Sequence, residues 1–209
     1  IECLLDADIE EEGAVVVPSR IFGDIIRKLP ESTVEIEVMD NYLVKIKAAN
    51  SLFKIQGIQA DEYPALENIE ESNPIEVEQG LLKKMIQKTI FAVATVETRP
   101  ILTGALFEIE EKQVYMVCLD GYRLAVRNGS TSKEGSLKVV IPGKTLNEIS
   151  RIMDDDDKKI SITINDSHVL FDMGYTRVVS RLLSGEFINY RQIIPGEYKT
   201  RIKLDTRLF

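Results

Sequence analysis

The chain repeats itself at a spacing far longer than that of a solenoid. Val15–Pro18 recurs as Val139–Pro142, an offset of about 124 residues, and an amphipathic stretch follows each copy. Solenoid repeats run about 20 to 50 residues, so this period indicates repeated whole domains. The fold must therefore contain at least two copies of one domain.

The segments that follow these stretches correspond as well. Val34–Val38 alternates apolar and acidic residues and returns after an Asp-Asn turn as Leu43–Lys47. In the second copy, Ile160–Ile164 returns after an Asn-Asp turn as Val169–Phe171. Period-two alternation on both sides of such a turn predicts a β-hairpin in each copy.

A further match extends the repeat and predicts the domain organisation. Ile75–Leu81 corresponds to Ile202–Leu208, and each reads as a short strand, an acidic cap and a helix start. We expect the C-terminal part of a first domain at 1–72, a complete second domain at 73–197, and the first strand and helix start of a third at 198–209. On this spacing the first copy would begin some 50 residues before Ile1.

Helices are predicted at Pro18–Leu29, about Glu78–Ala94, and Pro142–Met153. The alternating strands suit antiparallel sheets covered on one face, so the predicted class is α+β. Each repeat helix has an apolar stripe that should pack on a sheet. The stripe residues are Ile21, Ile25 and Leu29 on the first, and Leu146, Ile149 and Met153 on the last.

Charge is divided unevenly between the helices and the rest of the chain. The formal net charge is −8, yet the predicted helices hold eight cations against three acids. Acids concentrate instead in Glu10–Glu12, Glu67–Glu71, Glu108–Glu111 and Asp154–Asp157, which we expect to be solvated. The helical cations are Arg20, Arg27, Lys28, Lys83, Lys84, Lys88, Lys144 and Arg151.

The spacing of these cations favours a phosphate partner. Arg20 and Arg27 are seven residues apart, as are Lys144 and Arg151, so each pair lies on one helical face. On a single helix, lysines and arginines could simply keep an exposed face in solvent. Three helices that all carry an excess of positive charge favour contact with phosphates, independent of base sequence. No basic and aromatic residues interleave, which favours duplex over single-stranded nucleic acid.

No motif predicts an active site, a metal site or a cofactor. Gly143–Thr145 lacks the earlier glycine of a P-loop. Asp154–Asp157 lacks the alternate oxygens and the glycine of an EF-hand. The single histidine, His168, has no Cys or His ligands around it, and Asp120 with Arg123 lacks a nucleophile.

No apolar run approaches the roughly 20 residues of a membrane span, and no leader peptide is evident. A soluble cytoplasmic protein is therefore expected. The two cysteines, Cys3 and Cys118, lie in apolar strand-like stretches and are predicted to be reduced core residues.

Four stretches resemble the bacterial sliding clamp family, the beta subunits of DNA polymerase III. They are Val17–Pro30, Arg99–Gly104, Asp120–Ala125 and Ser180–Phe187, and the resemblance runs in order along essentially the whole chain. It implies three similar domains per subunit, with two subunits joined head to tail into a ring. Helices would line the hole and sheets the outside. Lys144 corresponds to a DNA-facing lysine, a role extended here to Arg20, Arg27 and Arg151.

The resemblance also implies a function. The chain would belong to a non-catalytic, homodimeric processivity factor that encircles double-stranded DNA, slides along it and tethers replication enzymes, with nucleotidyl transfer residing in the polymerase catalytic subunit. The protein would be cytoplasmic and nucleoid-associated in a bacterium. Its other partners would be the clamp loader, repair polymerases, ligase and mismatch-repair proteins, which bind through short linear peptides.

The family binds those peptides in a pocket between its second and third domains. The resemblance assigns an apolar floor to Leu102, Leu124, Ile188 and Ile193. It assigns a polar rim to Arg99 and Arg123. Leu119 stands where many clamps have a small hydroxyl residue, and Ile188 where many have proline. The matching positions are Arg99, Leu102, Leu119, Gly121, Tyr122, Arg123, Leu124, Ile188, Gln192 and Ile193.

Two other classes of protein stay open from the residues alone. One is an interaction scaffold whose basic helices meet an acidic partner. The other is an enzyme domain whose catalytic residues lie outside this sequence. Salt-sensitive retention on circular but not linear DNA would separate a clamp from a scaffold, and turnover by the purified protein would support an enzyme.

Overall fold

The structure, a computed structural model, describes residues 1–30, 32–64, 69, 73–96, 98–154, 157–205 and 207–208. The chain divides into two compact units, a smaller one of Asp6–Glu67 and a larger one of Ile1–Leu5 with Asn68–Phe209. Most of the acidic run Glu67–Glu71, half of Asp154–Asp157, and two residues of the predicted third helix start lie outside the described residues. The domain boundaries at residues 72 and 197 stay predictions.

Short antiparallel strands and three α-helices make up the described secondary structure. The helices are α1 (Ser19–Lys28), α2 (Gln79–Gln87) and α3 (Gly143–Ile152). The strands are β1 (Glu2–Cys3), β2 (Val15–Val16), β3 (Val34–Val38), β4 (Leu43–Ala48), β5 (Ser51–Gln56), β6 (Ile58–Gln59), β7 (Ile75–Glu78), β8 (Gly104–Glu110), β9 (Gln113–Leu119), β10 (Leu124–Ser130), β11 (Ser136–Pro142), β12 (Lys159–Ile164), β13 (His168–Asp172) and β14 (Thr176–Arg181). None of the described helices is long and apolar enough to cross a membrane.

In the smaller unit, α1 packs on an antiparallel sheet of order β3-β4-β5, beside the pair β2-β6. Its buried core is Val44, Ile46 and Ile55, against which Phe22, Ile25 and Leu29 of α1 pack. Ile21, predicted to join this stripe, is exposed instead. The stripe that packs on the sheet begins one residue later, at Phe22, and its side chains are partly buried.

The larger unit has two antiparallel sheets and two helices around one apolar core. The sheets have the orders β1-β14-β13-β12-β7 and β10-β9-β8-β11, and α2 packs against α3. Leu146, Ile149 and Met153 of the α3 stripe are all buried in this core, as predicted. Helices packed on antiparallel sheets confirm the α+β class.

The sequence repeat is a structural repeat. In each unit a strand leads into a helix and then into three antiparallel strands, namely β3-β4-β5 and β12-β13-β14. Both predicted hairpins are confirmed. The copies differ in burial, because Ile160 and Ile162 of β12 are buried while Val34 and Ile36 of β3 are exposed. Strand β7 pairs with β12, whereas β3 pairs only with β4 among the described strands.

Three local predictions are wrong. The second helix ends at Gln87, because the Thr89 hydroxyl donates to the Met85 carbonyl oxygen at 2.8 Å and a 3₁₀ turn follows. Cys3 is exposed, since β1 lies at the edge of its sheet; Cys118 is buried as expected. Residues 202–205 form no strand, because no described strand pairs with them.

Candidate functional site

The two repeat helices present matched cations to solvent. On α1, Arg20 and Arg27 are exposed, while the apolar stripe of the same helix faces its sheet. On α3, Lys144 and Arg151 occupy the corresponding positions and are exposed as well. The sequence offset therefore predicted correctly that each pair of cations would lie opposite a buried face.

Even the ion pairs on these helices are repeated. Arg27 pairs with Asp24 one turn earlier on α1, and Arg151 pairs with Glu148 one turn earlier on α3, at 3.0 Å. Exposed pairs of this kind contribute about 0 to 1 kcal/mol, so a phosphate can displace the carboxylate at little cost. The arginines thus stay available to an anionic partner.

The cations of α2 divide into two kinds. Lys84 and Lys88 are exposed and lie on one helical face. Lys83 is half-buried, and its ammonium donates to the Met153 carbonyl oxygen at 2.8 Å, just beyond the end of α3. This lysine therefore caps α3 and joins the two helices, a role that the sequence did not indicate. Lys28, on α1, is exposed.

The predicted peptide pocket begins at the turn between β9 and β10. The Asp120 carboxylate accepts the backbone N–H of Tyr122 at 3.0 Å and of Arg123 at 3.1 Å, and it pairs with the Arg123 side chain at 2.8 Å. The backbone N–H groups, with the arginine, hold the pKa of Asp120 below its usual value. Gly121 has a φ of +95°, which a residue with a Cβ rarely adopts.

This turn displays its side chains rather than enclosing them. Tyr122 is fully exposed, and Arg123 lies over the ring of Phe91, with its guanidinium carbon 5.7 Å from the ring centroid. Leu119 and Leu124 flank the turn as a cross-strand pair. Leu119 is buried, while Leu124 is half-buried and packs on an apolar cluster centred on Leu106, Val117, Val140 and Tyr190.

The chain after β14 covers the outer face of the four-stranded sheet. Phe187 and Tyr190 from this segment pack in the same apolar cluster as Leu124. The segment also borders a cleft of about 910 Å³, which Ile188 and Gln192 line. The structure therefore brings Leu124 and the 187–192 segment onto one apolar surface.

The other predicted pocket residues, all of them described, do not line that cleft. Leu102 is buried in a 3₁₀ turn that begins at Pro100, next to the exposed Arg99. Ile193 is about half exposed, and its backbone N–H donates to the Tyr190 carbonyl oxygen at 3.1 Å.

The sequence missed Glu108. It was read as part of a solvated acidic run, yet its side chain is only 1% exposed. Its carboxylate accepts hydrogen bonds from the Tyr190 hydroxyl at 2.8 Å and from Arg191 at 3.2 Å, and it pairs with Lys138 at 3.0 Å. The missed signal was its place on β8, where it alternates with the buried Phe107 and Ile109 and so shares a sheet face with Leu106.

Burial by itself would raise the pKa of the Glu108 carboxyl. The hydrogen bonds from Lys138 and Tyr190 and the charge of Arg191 outweigh that effect, so the pKa lies below its ordinary value. Burial and the adjacent carboxylate raise the pKa of Tyr190. The phenol therefore stays protonated as a donor and Glu108 stays charged as an acceptor.

Among the described residues, no three His, Cys, Asp or Glu side chains are grouped so that they could hold a metal ion. His168 is buried, with Ser167 Oγ 2.8 Å from Nδ1 and Arg181 Nε 3.3 Å from Nε2. Its ring therefore joins two neighbouring side chains in a structural network.

Models of one protein family match most of the chain. Residues 1–67 match the family model of the DNA polymerase III beta subunit, N-terminal domain, and residues 76–189 match that of its central domain. A beta sliding clamp of Bacillus subtilis (strain 168) is 41% identical over 203 residues, covering 96% of this chain and 54% of the relative. The chain thus spans about half the length of the relatives that it matches.

Solved structures agree with these matches. A putative DNA polymerase III beta subunit from Eubacterium rectale superposes with a TM-score of 0.88 at 36% identity, covering 94% of this chain and 54% of that one. A sliding clamp from Pseudomonas aeruginosa bound to griselimycin superposes with a TM-score of 0.86 at 27% identity, covering 92% and 53%.

Proposed function

Because the chain belongs to the DNA polymerase III beta subunit family, we propose that it forms part of a DNA sliding clamp. The complete subunit would act without catalysis as a processivity factor. It would close with a second copy into a ring around duplex DNA and tether the replicative polymerase. Nucleotidyl transfer would belong to the polymerase catalytic subunit.

One observation carries the proposal: the repeat places exposed cations at equivalent positions of two helices. Arg20 corresponds to Lys144 and Arg27 to Arg151, and each pair lies opposite a face packed on a sheet. A chain with a net charge of −8 has no general excess of cations to distribute. Their repetition on two helices supports a shared anionic partner.

The chemistry of these side chains suits sequence-independent binding. Exposed arginines and lysines bind phosphate oxygens without reading base edges. Such contacts give dissociation constants on the order of 10⁻⁴ to 10⁻⁶ M at physiological salt. Contacts this weak let a protein slide, so in our proposal retention on DNA comes from closure of the ring rather than from affinity.

The second part of the proposal is a docking pocket for partner peptides. Leu124 and the 187–192 segment share one apolar surface, and Arg123 stands exposed beside it on a turn fixed by Asp120. An apolar surface rimmed by a few oriented polar groups is typical of ligand sites. The clamp loader, repair polymerases, ligase and mismatch-repair proteins would compete for it, and griselimycin, bound by a related clamp, is a probe for it.

Retention on DNA of two topologies tests the proposal. The complete polypeptide that contains this sequence is loaded onto a nicked circular plasmid by a bacterial clamp loader and then separated from free protein by gel filtration. We expect the protein to stay on circles at moderate salt and to run off after the plasmid is cut once. Equal retention before and after the cut would contradict encirclement, and no retention on either form would favour the scaffold with an acidic partner.

A further inference from the structure

Glu108 is the only buried acidic residue among those the structure describes. It lies on β8, on the face of the sheet that points away from the main core. Moving a lone carboxylate into such a position is costly unless charged or hydrogen-bonding partners compensate. The residues that surround Glu108 therefore indicate what this buried carboxylate does.

Those partners begin within the sheet. Glu108 is directly opposite Lys138 on β11 and Tyr115 on β9, so the three side chains form a row across three strands. The Lys138 ammonium lies 3.0 Å from the Glu108 carboxylate. This row offers a fixed charge and an aromatic ring to whatever covers the sheet.

What covers the row is the 3₁₀ turn at Tyr190–Gln192. The Tyr190 hydroxyl donates to one carboxylate oxygen of Glu108 at 2.8 Å, and Arg191 donates to the other at 3.2 Å. Arg191 also lies over the Tyr115 ring, 5.5 Å from its centroid, and donates to Glu110 at 2.6 Å. Two consecutive residues of the turn are thus held by one buried carboxylate.

The residues on either side of this turn belong to the proposed pocket. Ile188 lies two residues before Tyr190, Gln192 is the last residue of the turn, and Ile193 follows the turn directly. The N–H of Ile193 donates to the Tyr190 carbonyl oxygen, so the position of Tyr190 fixes the course of the chain to Ile193. Upstream, the chain is tied to the sheet at Leu183, whose N–H donates to the Val140 carbonyl oxygen at 2.9 Å.

We infer that Glu108 is a positioning residue of the partner pocket, which fixes the Tyr190–Gln192 turn and so presents Ile188, Gln192 and Ile193 in one geometry for an incoming peptide. This inference rests on the proposed function, because it assigns a support to that pocket. A surface ordered before binding gains affinity, since the ligand need not order it. With its side chain 1% exposed, Glu108 would act through the turn rather than by contact with the peptide.

The variant Glu108→Gln preserves the shape of the side chain and removes its charge. Hydrogen bonds to a charged group are stronger than those to a neutral group. The difference in their free energy corresponds to a roughly tenfold to hundredfold change in a local opening equilibrium. We therefore expect amide hydrogen exchange to accelerate by about that factor within residues 187–193. Exchange in β9 and β12 should stay at the wild-type rate, which a general loss of stability would not permit.

Two further variants isolate the effect. Tyr190→Phe removes one hydrogen-bond donor and leaves the carboxylate in place, so it should accelerate amide exchange in the same segment by a smaller factor. If Glu108→Gln fails to fold, the exchange rates of Tyr190→Phe test the inference. Glu134→Gln is the control, because Glu134 makes an exposed pair with Lys112. It removes the same charge and should leave both exchange and binding unchanged.

Griselimycin binding to the complete polypeptide supplies the second readout. We expect Glu108→Gln to weaken binding about tenfold or more and to leave the affinity for a short linear duplex, which needs no loader, unchanged. Unchanged exchange at 187–193 in both Glu108→Gln and Tyr190→Phe would overturn this inference alone. Failure of the wild-type protein to bind griselimycin would overturn the proposed pocket and the inference with it.

Discussion

Replacing the four matched cations of α1 and α3 with alanine tests the DNA-binding face most directly. The variant carries Arg20→Ala, Arg27→Ala, Lys144→Ala and Arg151→Ala. All four side chains are exposed, so their removal opens no cavity in either unit, and alanine preserves the helices. Any loss of DNA affinity can therefore be attributed to charge.

The magnitude follows from the number of phosphates that these side chains can neutralise. Each contact contributes a slope of about −0.9 to the dependence of log K on log salt concentration, so four contacts give about −3.6. Raising salt from 50 to 200 mM would then weaken duplex binding by roughly 150-fold through these residues alone. If Arg27 and Arg151 kept their carboxylate partners, only two contacts would remain, and the loss would be roughly 12-fold.

Fluorescence anisotropy of a short linear duplex across a potassium chloride series measures this slope for the 209-residue chain. The variant should bind more weakly at low salt and should show a slope shallower by two to four contacts, about 1.8 to 3.6. The control variant replaces four exposed lysines outside the helices and changes the net charge equally. Its substitutions are Lys47→Ala, Lys54→Ala, Lys112→Ala and Lys159→Ala.

A slope that falls equally in both variants would refute the reasoning. That result would mean that net charge, rather than the repeated helical face, governs affinity. An unchanged slope in the helix variant would likewise exclude these cations from the contact surface. Only a selective loss agrees with a DNA-facing role for α1 and α3.

Two more predictions concern the pocket and the cysteines. Leu124→Asp should abolish griselimycin binding, because a charge would replace part of an apolar surface, and should preserve the affinity for a short linear duplex, which needs no loader. Val126→Asp, two residues along the same strand at a 40% exposed position, is the control. Griselimycin binding at full strength by Leu124→Asp would exclude Leu124 from the pocket. Burial raises the pKa of Cys118 to about 11, so the thiolate fraction grows only as the pH approaches that value and is about a thousandth at pH 8. Iodoacetamide at pH 8 should therefore modify only the exposed Cys3 of the folded chain, which mass spectrometry would detect as a single adduct. A second adduct before unfolding would contradict the burial of Cys118.

Much of the fold could be predicted from local sequence patterns, because the repeat contains each of its helices and hairpins twice. The α1 and α3 helices and both hairpins have apolar spacings that match their burial, so period and turn residues located them. The early end of α2 follows from a local hydrogen bond of Thr89, whereas the exposure of Cys3 depends on strands that are distant in sequence. Cys3 was misjudged because an apolar stretch does not reveal that β1 lies at a sheet edge.

The candidate site was predicted unevenly for the same reason. The cations of α1 and α3 follow from helical spacing alone, since exposure opposite a buried stripe is a local property. Glu108 and Tyr190 are 82 residues apart, and nothing near either residue indicates that they meet. Lys83 likewise reaches a carbonyl 70 residues away, so its role as a cap depended on how α2 and α3 pack.

The pairing of β1 with β14 has a consequence for synthesis on the ribosome. Cys3 and Thr176 are neighbours across these strands, yet 173 residues separate them along the chain. At about 5 to 20 residues per second, the first strand emerges roughly 10 to 35 seconds before its partner. During that interval β1 has no partner strand, which makes this stretch of the nascent chain a natural client for a chaperone that shields unpaired strands.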